Sequence, residues 1–187
     1  PVVLCLDRAG IVGEDGATHH GAFDIAYFSC VPNLTIAAPR NEWQLRQMMY
    51  AASKADTPTV IRYPRGLGEG VEWRDTAFVE TDMRGEELKA GRDIAIIAVG
   101  TMANVALRAA ERTSKSVAVY DLRYIKPLDT EMLDYIGSRF SKIITIEDGV
   151  FAAMADGERL GLPVVALGSL YMYADVAAAV RKYLEDR

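Results

Sequence analysis

Residues 7–24 read DRAGIVGEDGATHHGAFD, and the fold class follows from what stands on either side of them. Before them, Pro1–Leu6 is a short apolar run that reads as a buried strand. Inside the stretch, Gly10, Gly13, Gly16 and Gly21 suit turns and close approach of backbone to a ligand. After it, Ala22–Cys30 has the composition of a short helix, stopped by the turn Val31-Pro32-Asn33. A loop at the end of a strand is where α/β proteins tend to place an active site. This one collects Asp7, Arg8, Glu14, Asp15 and both histidines of the chain, His19 and His20.

Working outward, Leu34–Ala38 is a second strand. Asn41 is a suitable N-cap for a helix over Glu42–Lys54, in which Trp43, Leu45, Met48, Met49 and Ala52 recur at helical spacing as core positions. Thr57–Tyr63 is a third strand, ending in Pro64-Arg65-Gly66. That alternation favours a mainly parallel sheet covered by helices. Residues 66–92 are rich in glycine and charge and keep no period, which reads as an interdomain linker containing one short strand. A second α/β unit starts at Asp93. It has strands at Ile94–Val99, Ser116–Asp121, Lys142–Glu147 and Val164–Leu167, and helices at Met102–Arg112, Asp129–Phe140 and Tyr173–Glu185. The expected fold class is therefore α/β, as two three-layer units with mainly parallel sheets: 1–66, a linker at 67–92, and 93–187.

The totals set limits. A chain of 187 residues can bury a real core, and 50% hydrophobic with 25% charged residues is an ordinary globular mixture. A net charge of −5 argues against general affinity for nucleic acid, although two local arginines can still dominate a pocket. Cys5 and Cys30 have no metal-ligand spacing and read as reduced packing residues. No apolar run approaches the roughly eighteen residues that span a bilayer, and Pro1 opens no basic, apolar leader. The chain starts in a strand without a methionine, which suggests a piece of something longer.

His19 is the foremost candidate for proton transfer, because an imidazole titrates near neutral pH. On residue type alone, a loop histidine bonded to nearby backbone is the alternative. His20, as its neighbour, points elsewhere and reads as structural. Arg8 and Arg65 each follow an expected strand, and a guanidinium is a permanently charged planar fork suited to phosphate oxygens. The commoner fate of a lone arginine is a surface or interdomain ion pair. Arg62 lies inside the strand pattern and is left out. A carboxylate such as Asp15 beside a phosphate is disfavoured unless it meets a neutral part of the same ligand, so its distance from the arginines matters. Asp7 and Glu14 read equally well as solvated loop charges. The glycine spacing G-x-x-G-x-x-G lacks both the dinucleotide and the P-loop fingerprints. Nothing in Glu147-Asp148-Gly149 demands catalysis.

DRAGIVGEDGATHHGAFD, PNLTIAAPRNEWQLRQMMY, RYPRG and YDLRYIKPLD resemble, in order and spacing, the 1-deoxy-D-xylulose-5-phosphate synthase family. This is a transketolase-like group that uses thiamine diphosphate. The GAFD ending favours it over transketolase itself, and the resemblance covers only the C-terminal part of such an enzyme. It implies the later half of a pyrimidine-binding domain followed by a transketolase C-terminal domain. It further implies condensation of pyruvate with glyceraldehyde 3-phosphate with loss of CO2, serving isoprenoid precursor, thiamine and pyridoxal synthesis. In the family, the residue matching His19 faces the cofactor-bound adduct, those matching Arg8 and Arg65 hold the acceptor phosphate, and that matching Asp15 contacts the acceptor. The magnesium and diphosphate site, and the glutamate that activates the cofactor, belong to regions with no match here. A companion N-terminal region or chain is therefore expected, with a homodimer in the cytoplasm (or in a plastid, for a plant protein). The stretch at 147–155 and that between Gly168 and Tyr171 depart from the family pattern. The alternatives are transketolase, the β subunit of a 2-oxoacid dehydrogenase E1 component, or a non-catalytic interaction domain with the same fold.

Overall fold

The computed structural model describes residues 1–79 and 82–148. The first sheet opens with strand β1 (Val3–Leu6), followed by the glycine loop, helix α1 (Asp24–Ser29), strand β2 (Thr35–Ala37), helix α2 (Glu42–Lys54) and strand β3 (Thr59–Arg62). The second contains β4 (Glu86–Lys89), β5 (Ile94–Ala98), helix α3 (Met102–Glu111) and β6 (Val117–Asp121). Then come β7 (Tyr124–Lys126), helix α4 (Thr130–Arg139) and β8 (Ile143–Ile146). The sheet orders are β1-β3-β2-β7 and β4-β6-β5-β8, parallel except where β7 joins β2 and β4 joins β6. The expected strand at Val164–Leu167 and helix at Tyr173–Glu185 lie outside the described residues.

Each sheet is the middle of three layers. Ala37 and Ile61 face Met48 and Ala52 of α2, while Ile36 and Val60 face the other way, toward Phe28 of α1. In the second sheet, Val117, Val119 and Ala98 meet Ala103, Ala106 and Ala110 of α3. Ala95, Ile97 and Tyr120 meet Ile136 and Phe140 on the α4 side. This is the strict two-residue alternation of a strand, used on both faces. Asn41 caps α2, its side chain accepting from Gln44 N at 2.9 Å, and Asp129 caps α4, accepting from Met132 N at 3.0 Å.

Four expectations need correction. β1 is not buried: among the described residues it is a sheet edge hydrogen-bonded only to β3, and its residues alternate between exposed and half-buried. Cys5 and Cys30 are accordingly exposed thiols, not packing residues. In α2, Met49 is exposed, and the glutamines Gln44 and Gln47 are buried in its place. They are buried because α2 is covered by polar backbone as well as by the sheet. Gln47 Nε2 donates to Ala77 O at 3.1 Å, Val79 N donates to Gln47 Oε1 at 2.9 Å, and Arg46 Nη1 donates to Thr76 O at 2.8 Å. The connecting stretch is thus laid along the helix. Finally, Tyr124–Lys126 form a strand that the sequence did not suggest, and it belongs to the first sheet.

The two units meet along a polar seam. Ala38 N donates to Arg123 O at 2.9 Å, Asn104 Nδ2 to Arg40 O at 2.7 Å, and Gln44 Nε2 to Asp121 Oδ2 at 3.0 Å. Asp121 is 0% exposed. Burial pushes its carboxyl up to about 6, against the hydrogen bonds from Gln44 and the Arg123 backbone and the charge of Arg40.

Candidate active site

β1 and β3 are parallel neighbours, with Leu6 opposite Arg62, so their carboxyl ends finish side by side. The ladder runs slightly further: Tyr63 N donates to Leu6 O at 3.0 Å, and Ala9 N to Tyr63 O at 2.9 Å. Arg8 sits between these bonds at φ 67, a left-handed conformation that costs a non-glycine residue on the order of 1 kcal/mol. It turns the chain so that Ala9 can pair again. The loop then closes on itself through Gly10 N to Gly21 O at 3.1 Å and Gly21 N to Gly10 O at 2.8 Å. Side chains are barred at both positions: a Cβ on Gly21 would strike the Arg8 carbonyl, and one on Gly10 the Asp148 carboxylate.

Around this closure Arg8, Arg65 and Asp15 come together. Arg8 Nε donates to Asp15 Oδ2 at 2.8 Å, and Arg65 Nε lies 3.1 Å from the same oxygen. Arg8 Nη1 also pairs with Asp7. The hydrogen bond from Arg8 holds the Asp15 carboxyl below the usual carboxylate range, with Arg65 and His19 adding to it. Reciprocally, Asp15 and Asp7 raise the Arg8 guanidinium above its ordinary value. Arg65 is about half exposed, and Asp15 is its one ionic partner among the described residues. The two arginines therefore aim at one point from adjacent strand ends. In this arrangement a carboxylate of the protein itself holds that point.

His19 ends a single 3-10 turn, Ala17–His19, with its backbone N–H on Gly16 O at 3.1 Å and Nδ1 3.1 Å from Thr18 Oγ1. It is exposed, and its charge reaches Asp15. His20 turns inward, its Nδ1 accepting from Val12 N at 3.1 Å, a bond that fixes the loop. Glu14 is exposed.

A second charged cluster lies just beneath. Arg62, Asp24 and Glu147 keep 4%, 6% and 7% of their surface exposed. Arg62 Nε donates to Asp24 Oδ2 at 2.7 Å, and Nη2 donates to Glu147 Oε1 at 2.8 Å and Gly21 O at 3.2 Å. Burial works against the Arg62 charge, but Glu147 and Asp24 more than offset it and hold its pKa above the ordinary value. Sequence reasoning set Arg62 aside for its place inside a strand and saw no demand at Glu147. A usable signal was present, since a charged residue closing the run Thr-Val-Ile-Arg in a covered strand needs a charged partner.

Among the described residues, an open groove lies elsewhere. It is lined by Met48, Ala52, Thr35, Thr59 and Tyr124 at the amino ends of β2 and β3, and it holds no cluster of ionisable groups.

Two family models match successive parts of the chain. The transketolase pyrimidine-binding domain matches residues 1–70, and the transketolase C-terminal domain matches residues 84–156. The chain is 49% identical over 183 residues to the 1-deoxy-D-xylulose-5-phosphate synthase of Bacteroides thetaiotaomicron, with 87% of the chain aligned. This chain belongs to the transketolase family. The synthase of Chromobacterium violaceum is 41% identical over 92% of the chain, and in both comparisons the chain spans 28% of the relative's length. Among solved structures, a split-gene transketolase described as an inactive β4 tetramer superposes with a TM-score of 0.66 at 26% identity, covering 96% of this chain and 66% of that one. A Pichia stipitis transketolase variant, at 21% identity and a TM-score of 0.62 over 78% of this chain and 23% of that one, shares the fold. Transketolase-family enzymes of this kind depend on thiamine diphosphate. Among the described residues, no group of three or more His, Cys, Asp or Glu side chains could hold a metal ion. The chemistry that Arg8, Arg65, Asp15 and His19 offer is that of anion and proton handling. No helix among the described residues is long and apolar enough to cross a membrane.

Proposed function

We propose that this chain forms the acceptor side of a thiamine diphosphate-dependent 1-deoxy-D-xylulose-5-phosphate synthase. Such an enzyme joins two carbons of pyruvate, with loss of CO2, to the aldehyde of glyceraldehyde 3-phosphate. The product serves isoprenoid precursor, thiamine and pyridoxal synthesis. The observation that carries the reading is the convergence of Arg8 and Arg65 on one oxygen atom. Two guanidinium forks at a single point can grip a phosphate through several charge-assisted bonds and still leave its carbon end free. Phosphate takes over the place of the Asp15 carboxylate, which then turns to the acceptor's hydroxyl or aldehyde. His19 supplies the proton taken up where the acceptor's carbonyl oxygen becomes a hydroxyl. Arg8, Asp15, Arg65 and His19 are thus the site residues, and their value lies in fixing the acceptor's orientation. Thiamine diphosphate and its Mg2+ are anchored mainly by regions outside these 187 residues, in a companion part of the protein or a partner chain, within a cytoplasmic homodimer.

The test is made on the complete protein with pyruvate and glyceraldehyde 3-phosphate. Arg8→Ala and Arg65→Ala are each expected to raise the acceptor KM on the order of 10- to 100-fold while leaving the pyruvate KM alone. An unchanged acceptor KM in both variants overturns the phosphate role. Turnover that requires a ketose donor in place of pyruvate reassigns the chain to the transketolase reaction.

A further inference from the structure

The second unit reaches the closure of the glycine loop directly on one side and through Arg62 on the other. On one side, Gly10 lies so close to Asp148 that no side chain fits between them. On the other, the Gly21 carbonyl accepts from the same Arg62 nitrogen that donates to Glu147. Glu147 and Asp148 directly follow β8 in the second unit, whereas Gly10 and Gly21 are the two ends of the segment that carries Asp15 and His19. Arg62 is in turn fixed by the Asp24 carboxylate at the first residue of α1, through two bonds of 2.7 and 3.3 Å. Tyr63 and Pro64 alone separate Arg62 from Arg65. One buried guanidinium therefore ties together the end of β3, the base of the loop, the start of α1 and the end of β8.

We propose that Glu147, acting through Arg62, is a positioning residue for acceptor binding: the second unit sets where the loop and Arg65 stand, without touching substrate itself. Arg62 grips Asp24 at two points, through Nε and Nη2, while Nη2 also donates to Glu147 and Gly21, and the single ammonium of a lysine at position 62 does not reproduce that two-point hold. A small displacement at the loop base moves both halves of the anion grip relative to each other, and catalytic geometry tolerates little of that. This inference rests on the acceptor-binding reading above.

The experiment uses the complete protein with Glu147→Ala, Glu147→Gln, Arg62→Lys and, as a control, Arg65→Ala. Acceptor KM, pyruvate KM, kcat and melting temperature are read for each. Glu147→Ala and Arg62→Lys are expected to raise the acceptor KM about 10-fold with the pyruvate KM unchanged. Glu147→Gln, which keeps an oxygen for Arg62, is expected to return it to within about 3-fold of the parent. If Glu147→Ala and Arg62→Lys lower only melting temperature or kcat, with both KM values unmoved, the cluster is a strut and the positioning role is wrong. If instead Arg65→Ala fails to raise the acceptor KM, the acceptor reading itself has failed and takes this inference with it. Should one of the two variants not fold, the other decides the same question.

Discussion

Arg62 closes β3 with 4% of its surface exposed and its fork held by Asp24, Glu147 and the Gly21 carbonyl, whereas Arg65, three residues on, is half exposed and, among the described residues, touches a single carboxylate. Both are arginine–carboxylate contacts at the end of one strand, yet they belong to different regimes. In the buried cluster each charge has lost water, so no partner can leave without stranding another. In the exposed one, water and salt compete for every contact, and an incoming anion can take a carboxylate's place at small cost. A fixed base beneath an exchangeable grip is what a loop needs if it is to hold a ligand and then let it go.

The comparison can be broken most forcefully from the buried side. Arg62→Ala is expected to destabilise the protein by about 3–5 kcal/mol, because it strands the Asp24 and Glu147 charges. Denaturant unfolding measures it. Neutralising all three together, with Arg62→Met, Asp24→Asn and Glu147→Gln, should recover much of that loss. A single variant with parent-like stability would show that the cluster is hydrated after all.

Asp121 sharpens the contrast, since it is as deeply buried as Arg62 but has Arg40 Nε no nearer than 3.5 Å. Its folded carboxyl titrates at about 6 against an ordinary 3.8. Between those values the folded chain still holds a proton that the unfolded chain has released, so stability falls as pH rises through the window and levels off above about 6. The group is worth up to about 3 kcal/mol over that range. Subtracting the melting curves of Asp121→Asn from those of the parent between pH 4 and 7 isolates the slope. A flat difference would mean that Arg40 neutralises Asp121 fully.

The smallest effect on stability is expected at the grip. Asp15→Asn should leave the melting temperature nearly unchanged while tightening competitive inhibition by inorganic phosphate several-fold, more at low salt than at high. The carboxylate that occupies the arginines would then carry no charge. Weaker inhibition would mean that Asp15 organises the arginines and does not compete for them.

Much of the layout was legible because it is written locally. Helix α2 was delimited at Glu42 and Lys54 by Asn41 as a cap and a long amphipathic pattern, and the structure gives those bounds. The adjacency of Arg8 and Arg65 followed from two parallel strands ending together. What escaped was set by distant partners. Gln44 and Gln47 look like surface residues until the seam and the connecting stretch cover them. β1 carries the apolar run of a buried strand yet lies at a sheet edge, a fact that pairing decides and composition does not. Arg62 reads as a strand residue, and its importance appears only when Glu147, far along the chain, is folded against it.

Strand β7 has a consequence for how the molecule is assembled. Tyr124–Lys126 pair antiparallel with Ile36 and Ala37, so the first sheet borrows its last member from beyond the second sheet's β6. During synthesis a nascent chain cannot finish the sheet bearing its arginine grip until most of the second has left the ribosome. Cutting between residues 66 and 92 to obtain two separate modules would leave one of them with a torn margin.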